Sequence, residues 1–202
     1  MTEDIMNRIT EEHGKALIAL ARKTIADRLN LEAGAPGRGA AAPAESRLET
    51  LLFQEKRGTF VTLKISGQLR GCMGCLSATE TILEGVQRNA INAAFNDPRF
   101  PALTADELAR TDIEISILTE PQVLEYTDGD DLIARLRPQI DGVILQKGQS
   151  RATFLPQVWE QVPITENFLA HLCRKAGLPG DAWQSGELEV STYQVQYFHE
   201  HK

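Results

Sequence analysis

The chain has 202 residues, which suits one domain or one domain with a small additional lobe. Its formal net charge of −7 disfavours non-specific nucleic-acid binding, because that binding depends on lysine and arginine neutralising phosphates. No apolar run approaches the roughly 20 residues that span a bilayer, and the polar N-terminus is unlike a signal peptide. Three cysteines, an odd number, fit a reducing compartment better than a disulfide framework. We therefore expect a cytoplasmic protein that binds neither nucleic acid nor membrane.

The N-terminal region predicts a helix followed by a loop. Thr10 can cap this helix. Apolar residues recur every four positions along one of its faces, at Leu17, Ala21, Ile25 and Leu29. The stretch AGAPGRGAAAPAES has almost no apolar bulk, which is typical of a flexible connection. We therefore divide the chain into an N-terminal helix that packs on the body, a flexible loop, and the remainder of a single domain, at residues 1–32, 33–46 and 47–202.

The middle of the chain predicts strands separated by single helices. FVTLKI (60–65) is rich in β-formers, SGQ supplies a turn, and LRGCMG (69–74) predicts the returning strand. Ser77 and Glu80 predict a capping box that begins a helix, which ends at Asn96-Asp97-Pro98. A short helix capped by Thr104 and Glu107 follows.

Strands dominate the predicted C-terminal half. IEISIL (113–118) alternates isoleucine with other residues, which indicates a strand with one apolar face. GVILQK and RATFL flank GQS and predict a hairpin, and a helix runs from Thr165 to a stop at Gly177. ELEVSTYQVQYF (187–198) predicts one long final strand. This order of elements predicts an α+β fold with a mostly antiparallel or mixed sheet flanked by helices.

The stretch LRGCMGCL (69–76) holds the residues most capable of chemistry. A zinc site is one interpretation, but a structural zinc needs four ligands, and His171 and Cys173 diverge by about 200° on a helix. We therefore expect no stoichiometric zinc, and we expect no cofactor. A thioredoxin-like redox pair is a second interpretation, because a helix follows Cys75 and its dipole favours a thiolate.

A single working thiol at Cys72 is the third interpretation. A guanidinium two residues away, at Arg70, would favour the thiolate and could hold an anionic ligand. If the strand extends this far, the two side chains share one face and can meet. Gly71 and Gly74 would let the backbone bend or approach a ligand. The structural alternative is that Cys72 is only a small residue packed between glycines.

Four other residues are candidates for the same site. Asp97 and Arg99 flank Pro98 and form either an ion pair that brackets the loop or part of a polar site. Glu114 shares the polar face of its strand with Ser116, and is either a general base or a solvated carboxylate. Gln157 either bonds a ligand or braces the backbone.

Five segments, in order, resemble the AMMECR family, which is protein A of the AmmeMemoRadiSam system. They are FVTLKISGQLRGCMG, NAAFNDPRFPALTADEL, IEISIL, ATFLPQVW and FLAHLCRKAGLPGDAW. The resemblance runs from about residue 48 to about 198 and implies one α+β fold with a large and a small lobe. It also implies radical-SAM and Memo-type proteins as partners, because their genes often accompany the family. Its signature, LRGC-x-G, includes Cys72 but usually has a different small residue at Cys75, which favours the single thiol.

Two classes of function are consistent with these patterns. One is an enzyme, or the ligand-binding component of one, that uses Arg70 and Cys72 on a small anionic ligand. The other is a non-catalytic adaptor or scaffold for a partner protein. A C-x-x-C thiol oxidoreductase is a weaker third class. The first predicts polar side chains that converge on a cleft, and the second predicts those side chains packed beside an exposed apolar patch.

Overall fold

The computed structural model describes residues 9–31 and 51–200, and the chain divides into two compact units. The first unit extends to Thr119 and takes up the chain again from Gln196, and the second is Glu120–Val195. The loop predicted at 33–46 lies outside the described residues. Along residues 9–31 and 51–200, no helix combines the length and apolar character needed to cross a membrane.

The described residues of the first unit form a four-stranded antiparallel sheet with helices on one face. The strand order is β2–β1–β3–β8, and β1 pairs with both β2 and β3. The strands are β1 (Thr59–Ile65), β2 (Gln68–Cys75), β3 (Thr111–Leu118) and β8 (Val195–His199). The helices are α1 (Glu11–Arg28), α2 (Ile82–Ile91) and α3 (Ala105–Leu108), with a 3₁₀ turn at Leu51–Gln54 and a π-helical turn at Asn92–Asn96.

The second unit has its own four-stranded sheet and its own core. Its strand order is β4–β7–β5–β6, again antiparallel. The strands are β4 (Gln122–Val123), β5 (Gly142–Lys147), β6 (Ser150–Phe154) and β7 (Glu189–Tyr193). The helices are α4 (Gly129–Arg135), α5 (Val158–Gln161) and α6 (Thr165–Lys175), with a 3₁₀ turn at Ala182–Ser185. Trp159 stacks on Phe168 in the core, with ring centroids 3.6 Å apart. These two units confirm the predicted α+β class.

Alternation along the central strands gives the first sheet two unlike faces. Val61, Leu63, Ile113 and Ile115 are fully buried, and they belong to the same core as residues of α1 and α2. The intervening Thr62, Lys64 and Glu114 project from the opposite side, because successive side chains of a strand alternate. We call that side the outer face. The predicted apolar face of IEISIL is therefore confirmed, and its polar residues lie on the outer face.

Most predicted boundaries are confirmed, but the cap of α2 is not. Thr10 and Thr104 cap α1 and α3 as expected, and Gly177 ends α6 with a φ of 77°. The predicted box at Ser77 and Glu80 is wrong. Thr81 caps α2, and its side chain and that of Glu84 form the box.

The predicted long strand 187–198 is also wrong, since it is two strands in two sheets. β7 belongs to the sheet of the second unit and β8 to the sheet of the first. An unbroken run of β-forming residues reports extended backbone but does not say which partners each half pairs with.

We expect Gly14→Ala to destabilise the protein. Alanine normally stabilises a helix interior by about 0.5–1 kcal/mol over glycine. Here its methyl group would lie 2.0 Å from Cδ1 of Phe198, and such overpacking costs roughly 1–3 kcal/mol. Urea denaturation should therefore show a net loss of about 1–2 kcal/mol. The loss should shrink in a Phe198→Leu background, and a more stable Gly14→Ala single variant would contradict the packing.

Candidate functional site

A β-bulge in β2 decides where Arg70 points. The β1–β2 hairpin turns at Ser66 and Gly67, whose φ values of 52° and 76° are both positive, as in a type I′ turn. Leu63 pairs with Gly71 but Lys64 pairs with Leu69, so that Arg70 is the extra residue on its strand. The bulge interrupts the alternation of side chains between Arg70 and Cys72.

Arg70 forms an ion pair with Glu107 of α3. Its Nε and Nη2 donate to the two carboxylate oxygens of Glu107, each at 3.0 Å, and its side chain is only 11% exposed. The pair holds the pKa of Glu107 at about 2, because the guanidinium hydrogen bonds favour the carboxylate. The expected meeting of Arg70 and Cys72 is therefore replaced by a partly buried bidentate pair that attaches β2 to α3.

Gly71 and Gly74 are required by close packing. A Cβ atom on Gly71 would lie 2.1 Å from the carbonyl oxygen of Ala93, in the π-helical turn after α2. A Cβ atom on Gly74 would lie 2.2 Å from the ring of Phe60. Glycine at these positions lets the turn and the ring lie directly against β2. The structure thus gives both glycines a packing role.

The approach at Gly71 brings Asp97 to the backbone of Cys72. Pro98 disfavours helical geometry at Asp97, whose backbone is extended at the end of the π-helical turn. Its carboxylate oxygen Oδ2 accepts a hydrogen bond from the backbone amide of Cys72 at 2.9 Å. The carboxylate also accepts two hydrogen bonds from the Arg99 side chain, from Nε to Oδ1 at 2.9 Å and from Nη2 to Oδ2 at 2.7 Å. Arg99 Nη2 in turn donates to the carbonyl oxygen of Cys72 at 3.3 Å.

Charge and burial differ sharply between the two members of this pair. The Asp97 side chain is 2% exposed and that of Arg99 is 53% exposed. The Arg99 hydrogen bonds hold the pKa of Asp97 far below its usual range, although burial opposes them. The pair therefore holds both backbone groups of Cys72, as a structural ion pair would. It also leaves part of the Arg99 guanidinium at the surface, as a polar site requires.

The thiol of Cys72 lies on the outer face. Cys72 pairs with Thr62 across β1 and β2, and the hydroxyl of Thr62 donates to Sγ at 3.3 Å. The thiol is free and half-buried. Cys75, three residues along the same strand, is also free, and its Sγ accepts a hydrogen bond from the backbone amide of Ser77 at 3.4 Å.

Glu114 continues the same row across the sheet. Thr62 pairs with Glu114 on its other side, and His199 of β8 approaches Glu114 Oε1 with its Nδ1 at 3.3 Å. Lys64 donates to the same oxygen. We call Cys72, Thr62, Glu114 and His199 the thiol row, because these residues lie side by side on four neighbouring strands.

Gln157 lies in the second unit, where it precedes α5, and its side chain is exposed. Of the other predicted residues, the structure brings Cys72, Asp97 and Arg99 together, places Glu114 in the thiol row and turns Arg70 to Glu107. Among residues 9–31 and 51–200, no three histidine, cysteine or acidic side chains group as metal ligands.

Sequence reasoning missed Thr62, Lys64 and His199. Thr62 and Lys64 alternate with apolar residues in FVTLKI, which is a signal for a shared polar face. His199 had no local signal, because only the pairing of β8 in the first sheet brings it to Glu114. Fold and site together define a two-unit α+β protein with a free thiol fixed on one sheet face.

Comparisons with known proteins assign the chain to a family. Residues 18–198 match the AMMECR1 family profile. A protein from Methanothermobacter thermautotrophicus is 36% identical over 200 residues, covering 95% of this chain and 96% of that protein. A protein from Methanosarcina barkeri is 38% identical over 194 residues, covering 95% and 92%. The crystal structure of an uncharacterised protein from Pyrococcus horikoshii superposes with a TM-score of 0.76 at 32% identity, covering 93% of this chain and 91% of that one. The chain belongs to the AMMECR1 family.

The ion pair between Arg70 and Glu107 should make the free energy of unfolding depend on pH in the acid range. The pKa of Glu107 is lowered from an ordinary 4.5 to about 2, so its contribution is complete above pH 4.5 and is lost as the pH falls toward 2. Glu107→Gln should therefore cost stability at neutral pH and flatten the pH dependence of the unfolding free energy in this window. Asp106→Asn, at an exposed neighbour on the same helix, is the control. Identical pH profiles for Glu107→Gln and the wild type would rule out this role.

Proposed function

We propose that this chain is an enzyme, or the ligand-binding component of one, that binds a small anionic ligand at Cys72 and Arg99. The observation that carries the proposal is the way Cys72 is held. Its amide, its carbonyl oxygen and its sulfur each have a partner, in Asp97, Arg99 and Thr62. A thiol held in a fixed orientation is suited to act as a nucleophile or to contact a bound ligand.

Arg99 is the cation best placed to receive an anion. Arg70 directs Nε and Nη2 to Glu107, and its side chain is only 11% exposed. Arg99 is half exposed, lies beside Cys72 and directs Nε and Nη2 to its internal partners. Its remaining nitrogen, Nη1, is available to a carboxylate or phosphate, for which guanidinium is a preferred partner. The proposal therefore moves the anion contact from Arg70 to Arg99.

The resemblance to protein A of the AmmeMemoRadiSam system supplies the partners of the proposal. We infer that the chain works with a radical-SAM protein and a Memo-type protein, which would make or consume the ligand. An adaptor role has less support. The large hydrophobic residues that are exposed in the described chain come from separate stretches of sequence, Leu31 and Leu69 in the first unit and Val123, Ile140 and Ile164 in the second.

The first test addresses the thiol. We expect iodoacetamide to alkylate Cys72 in a Cys75→Ser background and Thr62→Val to slow this reaction about two- to tenfold. The valine is nearly isosteric but removes the donor to sulfur, a hydrogen bond worth roughly 0.5–1.5 kcal/mol. Thr62→Ser keeps the hydroxyl and should keep the rate. Peptide mapping by mass spectrometry gives the rate at Cys72. A Cys72 that does not react in the folded protein would refute the proposed site.

The second test addresses the ligand. Native mass spectrometry of the chain with a metabolite mixture, alone and with the two partner proteins, should detect one bound anionic species. Arg99→Gln should weaken its binding at least tenfold, because it removes the cation, whereas Arg135→Gln removes an exposed arginine of the second unit and is the control. Equal retention in the Arg99 variant would mean that the anion binds elsewhere.

A further inference from the structure

The carboxylate of Glu114 provides the site with a second point of contact. We propose that its Oε2 atom accepts a hydrogen bond from an uncharged donor on the ligand, while the anionic end of the ligand lies at Arg99. The ligand class is then a small carboxylate or phosphate that also carries a hydroxyl or an amide N–H. This inference rests on the proposed function and specifies the ligand of the same site.

The two oxygens of Glu114 are used unequally. Lys64 and His199 both approach Oε1. Among the described residues, Oε2 accepts no hydrogen bond, and the side chain remains 22% exposed. One oxygen therefore fixes the carboxylate on the outer face, and the other is left to accept a donor from outside the chain.

The surrounding charges select the kind of donor. An ionised carboxylate can only accept hydrogen bonds. Its charge is already balanced by the ammonium group of Lys64, and His199 adds positive charge whenever it is protonated. A ligand ammonium at Oε2 would be repelled by these groups and would also lose its hydration, whereas a hydroxyl or amide meets neither penalty. The site thus favours an uncharged donor.

The thiol row sets the distance between Cys72 and Glu114. Thr62 pairs with Cys72 on one side and with Glu114 on the other. Neighbouring strands lie about 4.8 Å apart, so the backbones of Cys72 and Glu114 are about 10 Å apart. A ligand that lies across Thr62 can reach both ends of this span. A molecule much shorter than this would reach one end alone.

Paired electrophiles test the inference. N-hydroxyalkyl iodoacetamides are compared with methoxyalkyl analogues over a series of tail lengths, in a Cys75→Ser background. In each reaction the Cys72 thiolate forms a carbon–sulfur bond, the carbon–iodine bond breaks and iodide leaves. We expect the hydroxyl probe to react about five- to tenfold faster than its ether at one tail length, because a donor to a charged acceptor is worth at least that much.

Variants at one strand identify the acceptor. The hydroxyl-to-ether rate ratio should fall to about one in Glu114→Ala and in the strand-favouring Glu114→Val. Either variant alone is enough for the test if the other does not fold. It should persist in Asp112→Asn, a carboxylate two residues away on the same face. A ratio of one at every tail length, or a ratio retained without Glu114, overturns this inference while the proposed function stands. A Cys72 that is inert to both probes overturns both.

Discussion

The buried carboxylate of Asp97 is the interaction on which the surroundings of Cys72 depend. Burying a carboxylate is costly unless it is paired and hydrogen-bonded. Asp97 satisfies this condition by accepting from the Cys72 amide and from Arg99. One side chain therefore links an edge strand, the end of a helix and a surface arginine. Without it, the Cys72 amide would lose its acceptor and Arg99 would lose the partner that keeps it beside the thiol.

Asp97 reaches this position because a π-helical turn, a glycine and a proline act together. The chain leaves α2 through a π-helical turn, a feature often found near functional sites. Gly71 allows the carbonyl group of Ala93 in that turn to lie against β2. Pro98 then keeps Asp97 extended, so that its side chain turns back to the strand. Gly71 therefore acts through packing, one residue before the thiol.

Local rules predicted much of this fold, and they failed where long-range contacts decide. The alternation in IEISIL and the Thr104–Glu107 box depend on neighbours in sequence, and both were predictable. Two S/T-x-x-E patterns follow one another at the start of α2, at 77–80 and 81–84. Thr81 is the cap because backbone hydrogen bonds from Arg57 to Glu80 and from Ile82 to Glu55 fix the start of the helix. No pattern in LRGCMG indicates the bulge, because a bulge is a property of strand pairing.

The candidate site was predictable in its residue types and not in its partnerships. Cys72, Asp97 and Arg99 could be selected by chemistry alone, since a thiol, a carboxylate and a guanidinium can each act on a ligand or hold one. That Arg70 pairs with Glu107, and Arg99 with Asp97, depends on where α3 and the π-helical turn pack. Which arginine pairs with which carboxylate is decided by tertiary contacts, and no local sequence pattern predicts those contacts.

The hold on the Cys72 backbone also bears on self-association. β2 is an edge strand of its sheet, and edge strands expose amide and carbonyl groups that can template pairing with another chain. At Cys72 those groups are occupied by Asp97 and Arg99, which take the place of a neighbouring strand. The two side chains that orient the thiol thus also occupy the free backbone groups in the middle of β2. At that point they keep the sheet from being extended by the strand of a second copy.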